Sequence, residues 1–259
     1  MKSIVNNKKL TFIFGLIAIL GLVSCSAPEK HRKLYPEVSI KRVANSKPQV
    51  LSVKHRPHYR SASYSLQANR DSIRLKQLFK VYGKQAKKRI QDWKYTINDY
   101  QRGSEIEKLN VANRFINRLN FVDDKIHWQK KDYWATPMET LASSGGDCED
   151  LAIAKYYTLT KLGMPDQCLT LNYVKVKNYN KPHMVLVYQC FNQDEALVLD
   201  NLNPQLLSVK QRKDLVSVYS FNQSGMWFTN KMGEKQKLNH LSRLRLWDDV
   251  RLRIKQESL

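Results

Sequence analysis

Residues 145–150 read Gly-Gly-Asp-Cys-Glu-Asp, one thiol among three carboxylates directly ahead of a stretch with helical periodicity, Leu151 to Leu162. A thiol attacks as thiolate, and the partial positive charge at a helix N-terminus lowers its pKa. Asp147, Glu149 and Asp150 act the other way, because neighbouring carboxylates repel a developing thiolate. The hexapeptide is chemically consistent only if a cation or an imidazolium neutralises the acids. Closely spaced hard oxygen ligands suit calcium. The spacing is not that of an EF-hand loop, so further ligands must come from elsewhere, with Asp132 or the Asp123-Asp124 pair as candidates.

A nucleophilic thiol also needs an imidazole to take its proton and a third group to orient that ring. His183 stands directly before Met184-Val185-Leu186-Val187-Tyr188, and Asp200 directly after Ala196-Leu197-Val198-Leu199. A hairpin centred on Phe191 and Asn192 would pair Met184 with Leu199 and Val185 with Val198, leaving His183 opposite Asp200. Opposed residues have Cβ atoms about 4.5–5.5 Å apart, within reach of an imidazole–carboxylate hydrogen bond. The expected roles are nucleophile for Cys148, proton carrier for His183 and orienting carboxylate for Asp200. A backbone N–H at the start of the Cys148 helix is the natural oxyanion donor, and the Trp134 indole is a second candidate. Taken singly, each residue has a plainer reading: structural cysteine, polar strand end, turn-forming Asp, packed Trp. Their combination is what points to chemistry.

The elements that must position these groups can be read along the chain. Asp71 or Ser72 can cap a helix carrying Ile73, Leu75, Leu78, Phe79 and Val81 that stops near Gly83; a second helix runs from about Ala86 to Tyr100. Ser104 with Glu107 is a capping box for a third, which carries Leu109, Ala112, Phe115, Ile116 and Leu119. Residues 120–144 are irregular and aromatic, with a short helical turn at Met138 to Leu141. The Cys148 helix should stop at Gly163, with Pro165 beyond it. Strands are expected at Leu169 to Val176, Met184 to Tyr188, Ala196 to Asp200, Val216 to Phe221 and Met226 to Phe228, and a basic strand or helix within Leu238 to Ile254. Helices followed by strands, without strand–helix–strand alternation, imply an α+β domain with one helix packed on an antiparallel meander.

Lys2, Lys8 and Lys9 precede an apolar run from Leu10 to Val23, and Leu22-Val23-Ser24-Cys25 resembles a bacterial lipobox. Residues 1–24 therefore read as a signal peptide of lipoprotein type, with Cys25 as the lipid site and ordinary cleavage near Ser26 as the alternative. Loss of three lysines from 44 basic and 23 acidic residues leaves a net charge of +18. Export disfavours nucleic acid as the partner of so basic a chain and favours anionic membrane surfaces or acidic proteins. Residues 25–70, rich in Lys, Arg and Pro, read as an extended tether, and residues 71–259 as a single domain. If Cys25 is lipidated, Cys148, Cys168 and Cys190 remain, an odd number, so at least one thiol should stay free. Cys168 and Cys190 are either a disulfide across the expected hairpin or two small buried apolar residues.

Asp132-Tyr133-Trp134-Ala135-Thr136-Pro137, Gly145 to Lys155, His183-Met184-Val185-Leu186 and Leu199-Asp200-Asn201 together resemble the bacterial transglutaminase-like cysteine proteinases of the LapG type, over about residues 75–230. The resemblance implies a papain-like or transglutaminase-like fold, with a helical N-terminal lobe packed on an antiparallel sheet. It also implies a Cys148, His183, Asp200 triad and calcium held by Asp147, Glu149 and Asp150. Members act in the periplasm and cleave a large surface adhesin near its N-terminus at a paired-alanine site, which disperses biofilm. An inner-membrane cyclic-di-GMP receptor of the LapD type restrains them. The lipobox departs from a freely soluble periplasmic enzyme and suggests a lipid anchor, with Ser26 arguing against inner-membrane retention. Two alternatives use the same residues differently: a transglutaminase delivering an amine instead of water, and a non-catalytic envelope binding module.

Overall fold

The computed structural model describes residues 62–177, 182–190, 194–229, 235–238 and 244–257, with side chains from residue 75 onward. The leader, Cys25, most of the tether, the tip of the expected hairpin and His240 lie outside the described residues.

Helix α1 spans Ala62–Tyr100 and is broken at Gly83, whose φ of 72° and ψ of −163° are non-helical. Glycine takes that conformation without a Cβ penalty. The two expected helices are therefore present in series, and the first reaches back to Ala62, so residues 62–70 of the segment read as extended tether are helical. No Pro or Gly follows Pro57 in that stretch to prevent it. Helix α2, Glu105–Ile116, carries the full Ser104/Glu107 capping box, a feature stabilising by about 1 kcal/mol.

The segment read as irregular contains more order than its pattern shows. Strand β1, Asn120–Phe121, pairs in parallel with β2, Gly145–Gly146, enclosing α3, Asp124–His127, and α4, Pro137–Ser143. These elements are too short to display a period, but Thr136 and Glu139 cap α4 reciprocally with Pro137 at its start.

Helix α5, Cys148–Lys161, has twelve consecutive buried residues from Cys148 to Leu159 and ends at Gly163 with φ 83°. A helix buried on all sides is an interior element, here one that also carries Glu149, Asp150 and Lys155 into the interior. One side meets β3 (Leu169–Val176) and β4 (Pro182–Tyr188), and the other meets α2 and α4. Ile153, Tyr156 and Leu159 thus share a core with Leu171, Leu186 and Phe221, while Leu151 and Ala154 join a second core with Ile90, Trp93 and Ile116.

The sheet continues through β5 (Leu197–Leu199), β6 (Leu207–Ser208), β7 (Leu215–Asn222), β8 (Gly225–Thr229) and β9 (Lys235–Lys237), in the order β6-β5-β4-β3-β7-β8-β9. The fold is α+β as expected, but the sheet is two meanders joined where β7 crosses to the open edge of β3. The C-terminal basic stretch resolves as helix α6, Arg245–Glu257, with Trp247, Val250 and Ile254 buried.

Two cysteine expectations are settled. Cys168 and Cys190 form a disulfide, with Cα atoms 4.7 Å apart, closing the mouth of the β3–β4 hairpin. The expectation of a free thiol is not met: among the described residues no cysteine is free, and Cys148 is disulfide-bonded. The nucleophilic chemistry of Cys148 accordingly belongs to its reduced form.

Candidate active site and adjoining acid cluster

Cys148 is the first residue of α5, with Asp147 as N-cap. An N-cap Asp ordinarily accepts a hydrogen bond from the helix's first turn. Asp147 makes none, and both of its buried carboxylate oxygens lack any hydrogen-bond partner. Gly146 is needed immediately before it, since a Cβ there would stand 2.3 Å from Asp150 Oδ2 and 2.5 Å from Asp150 Cβ.

His183 and Asp200 meet as expected, with His183 Nε2 2.7 Å from Asp200 Oδ1 and both side chains buried. The register that joins them differs. Leu186 pairs with Leu199, Val187 with Val198 and Tyr188 with Leu197, two residues away from the expected alignment. Extended one residue, this register sets Asp200 opposite Val185, so His183 is a diagonal neighbour. A slip of two preserves the face of every side chain, and a diagonal pair remains within reach of long side chains. With Nε2 taken by Asp200, Nδ1 is the ring nitrogen for proton exchange.

Asp200 is enclosed by positive charge. Arg212 Nη1 lies 2.8 Å from its Oδ2, while the Arg212 guanidinium also holds Asp214 at 2.9 and 2.8 Å. The Leu202 amide donates to Oδ1 at 3.0 Å, and Asn117 Nδ2 donates to the Asp200 carbonyl at 2.8 Å. Burial alone would raise this carboxyl, but the charge and hydrogen bond of His183, then Arg212 and Lys155, hold it well below the usual carboxylate range. Lys155 is fully buried; burial lowers its ammonium to about 7, opposed by the charge of Asp200.

The acids beside the thiol have the reverse environment. Asp124, Asp147 and Asp150 place carboxylate oxygens within 4.8 Å of one another, as do Asp124, Asp132 and Glu149. Burial, then the mutual charge of these groups, pushes Asp147 and Glu149 well above their ordinary values. Asp124 rises to about 6 and Asp150 to about 8, chiefly through burial, and burial also raises Asp132. Among the described residues no salt bridge reaches any of the five.

Asp150 accepts from the Ala135 amide at 2.6 Å and from Trp128 Nε1 at 3.0 Å, and Asp124 Oδ2 accepts from the Tyr133 amide at 2.5 Å. One oxygen each of Asp124 and Asp132 and both of Asp147 are buried without a partner. Orphaned hard oxygens converging from several chain segments fit a calcium ion. The cluster brings together all four expected acids, Asp132, Asp147, Glu149 and Asp150, and selects Asp124 from the Asp123-Asp124 pair.

The Cys148 sulfur lies 2.9 Å from Glu149 Oε2, so the acid cluster and the nucleophile are contiguous. Trp134 is buried, stacked on Phe221 at 5.6 Å between ring centres, with its indole hydrogen-bonded to Asp132. Arg212 and Lys155 escaped the sequence reading. Neither lies in a recognisable local pattern, although Lys155 ends the run that begins at Gly145.

A family profile for bacterial transglutaminase-like cysteine proteinases matches residues 79–235. Among solved structures, calcium-bound LapG of Legionella pneumophila is similar, with 32% identity and a TM-score of 0.60 over 70% of this chain and 97% of that one. The EGTA-treated form of the same protein matches with a TM-score of 0.59 at the same identity and coverage. No curated protein sequence matches the chain.

Proposed function

Since this chain belongs to the bacterial transglutaminase-like cysteine proteinases and is a cysteine peptidase, we propose that it is a calcium-dependent periplasmic endopeptidase. In this reading it cuts the N-terminal region of a large surface adhesin, releases it and promotes biofilm dispersal under the control of a LapD-type cyclic-di-GMP receptor. The observation that carries the reading is the His183–Asp200 contact at the start of β4, a strand packed on the helix that Cys148 opens, together with flanking acids that are buried without a salt bridge among the described residues. The leader and lipobox support a periplasmic site with attachment to the outer membrane through Cys25.

Reduced Cys148 yields its proton to His183 Nδ1 and attacks the scissile carbonyl, forming a carbon–sulfur bond. The backbone N–H groups at the start of α5 face the developing oxyanion. His183 returns the proton to the leaving amine, then takes one from water as the thioester is hydrolysed. Asp200 holds the ring through Nε2 and stabilises the imidazolium, while Arg212 occupies the other carboxylate oxygen and keeps Asp200 from turning. Bound by Asp124, Asp132, Asp147, Glu149 and Asp150, calcium supplies fixed positive charge that lets these acids ionise beside a thiolate.

The test is incubation of the reduced mature protein with an adhesin N-terminal domain and a labelled amine, with calcium or with excess chelator. Two fragments, absent with chelator and absent for Cys148→Ala, are expected. An amine adduct on an intact substrate would establish the transglutaminase reading, and neither product would leave the binding module. Addition of the full-length receptor in detergent should suppress cleavage only when the receptor carries its nucleotide.

A further inference from the structure

Helix α6 lies beyond the stretch that the family profile matches, and it makes contacts the reaction at Cys148 does not require. Its apolar side accounts for its docking, with Trp247 against Phe221 and Tyr156 at 5.2 and 5.8 Å between ring centres. Two charged residues near its end reach back more than a hundred positions. Arg253 Nη1 donates to Glu139 Oε2 at 2.6 Å and to the Tyr133 hydroxyl at 2.8 Å, and Nη2 donates to the Trp134 carbonyl. The buried Glu257 carboxylate accepts from Thr136 Oγ1 at 2.5 Å.

These contacts fall on residues 133, 134, 136 and 139. Interleaved with them are the two backbone donors that hold the acid cluster, the Tyr133 amide on Asp124 and the Ala135 amide on Asp150. We propose that α6 is a positioning element of the calcium site, with Arg253 and Glu257 clamping residues 133–139 so that their amides orient the Asp124 and Asp150 carboxylates. The inference rests on the calcium reading above.

With Oδ2 pinned by Tyr133, Asp124 keeps Oδ1 buried and without a hydrogen-bond partner, and its carboxylate is one of the cluster. A metal site gains affinity when its ligands are held in place before the ion arrives, and loss of an outer partner of a ligand commonly costs 10- to 100-fold. Direct electrostatics would have the opposite sign, because deleting a nearby cation favours binding of calcium. The direction of the change therefore separates positioning from charge. Lys at this position keeps the charge but cannot reproduce the forked contacts of a guanidinium.

Calcium titration calorimetry on the mature protein, paired with thermal unfolding, tests this. Arg253→Met should weaken calcium binding about 10- to 100-fold, and Arg253→Lys should weaken it in the same direction. Arg251→Met, on the same helix but in a 3.6 Å surface pair with Asp248, should leave affinity unchanged. Unchanged or tighter binding by both Arg253 variants would overturn the proposal, even if their melting temperatures fall. Absence of calcium binding by the unaltered protein would overturn the calcium reading and this inference with it.

Discussion

Two sets of buried carboxylates serve the same helix, and they are treated oppositely. Asp200 has His183, Arg212 and Lys155 around it and is held ionised. Asp124, Asp132, Asp147, Glu149 and Asp150 crowd one another with no ion pair among the described residues and are pushed toward protonation. A buried carboxylate with its own cations is a permanent structural charge; a buried group of them without cations is a receptor for a mobile one. In the proposed mechanism, the first arrangement keeps the orienting group of His183 constant. In the proposed reading, the second would make the state of the neighbouring thiol depend on a bound calcium ion.

The comparison breaks most visibly at Asp200. Asp200→Ala should lower kcat/KM by about 10³–10⁴, by analogy with removal of the orienting carboxylate in serine protease triads, when cleavage is measured at saturating calcium. Arg212→Met leaves the carboxylate buried with one oxygen bare, and should cost about 3 kcal/mol in urea unfolding. Activity in that variant should fall further than in Lys155→Met, because Arg212 touches Asp200 directly.

In the acid cluster the same kind of change should have the opposite sign. Asp147→Asn removes repulsion, so the calcium-free protein should gain stability in urea unfolding while losing calcium affinity. A loss of stability without calcium would show that Asp147 is already compensated by the protein.

The smallest effect is in pH dependence. For Asp124 and Asp150, folded values of about 6 and about 8 exceed the unfolded value of about 3.9. Their contribution is therefore intact below pH ~4 and is lost as pH rises through 6 and 8. Asp200 runs the other way, contributing fully above pH ~4 and losing that contribution as pH falls below it. The calcium-free protein should thus be most stable near pH ~4, and calcium should remove the decline above it. Identical pH profiles with and without calcium, by thermal unfolding, would contradict the assignment.

Much of the chemistry was legible because it is local. The thiol and its flanking acids are contiguous, the capping box at Ser104 follows from spacing, and Gly163 marks a helix end. His183 and Asp200 were matched from the hairpin even though its register was misjudged by two. Side chains alternate with period two along a strand, so an even slip leaves both on one face. The two-part sheet escaped notice because the crossing from β6 to β7 leaves no mark in the pattern of either strand.

Residue type and order determined that this chain carries a candidate nucleophile, an imidazole with a carboxylate to orient it, and more carboxylates than a buried site can keep charged. Only tertiary structure decided which carboxylate receives the cations. Arg212 lies twelve positions beyond Asp200, Lys155 forty-five before it, and Arg253 acts on a segment at residues 133–139. Electrostatic energy depends on distance through space and on burial, and neither follows from separation along the chain.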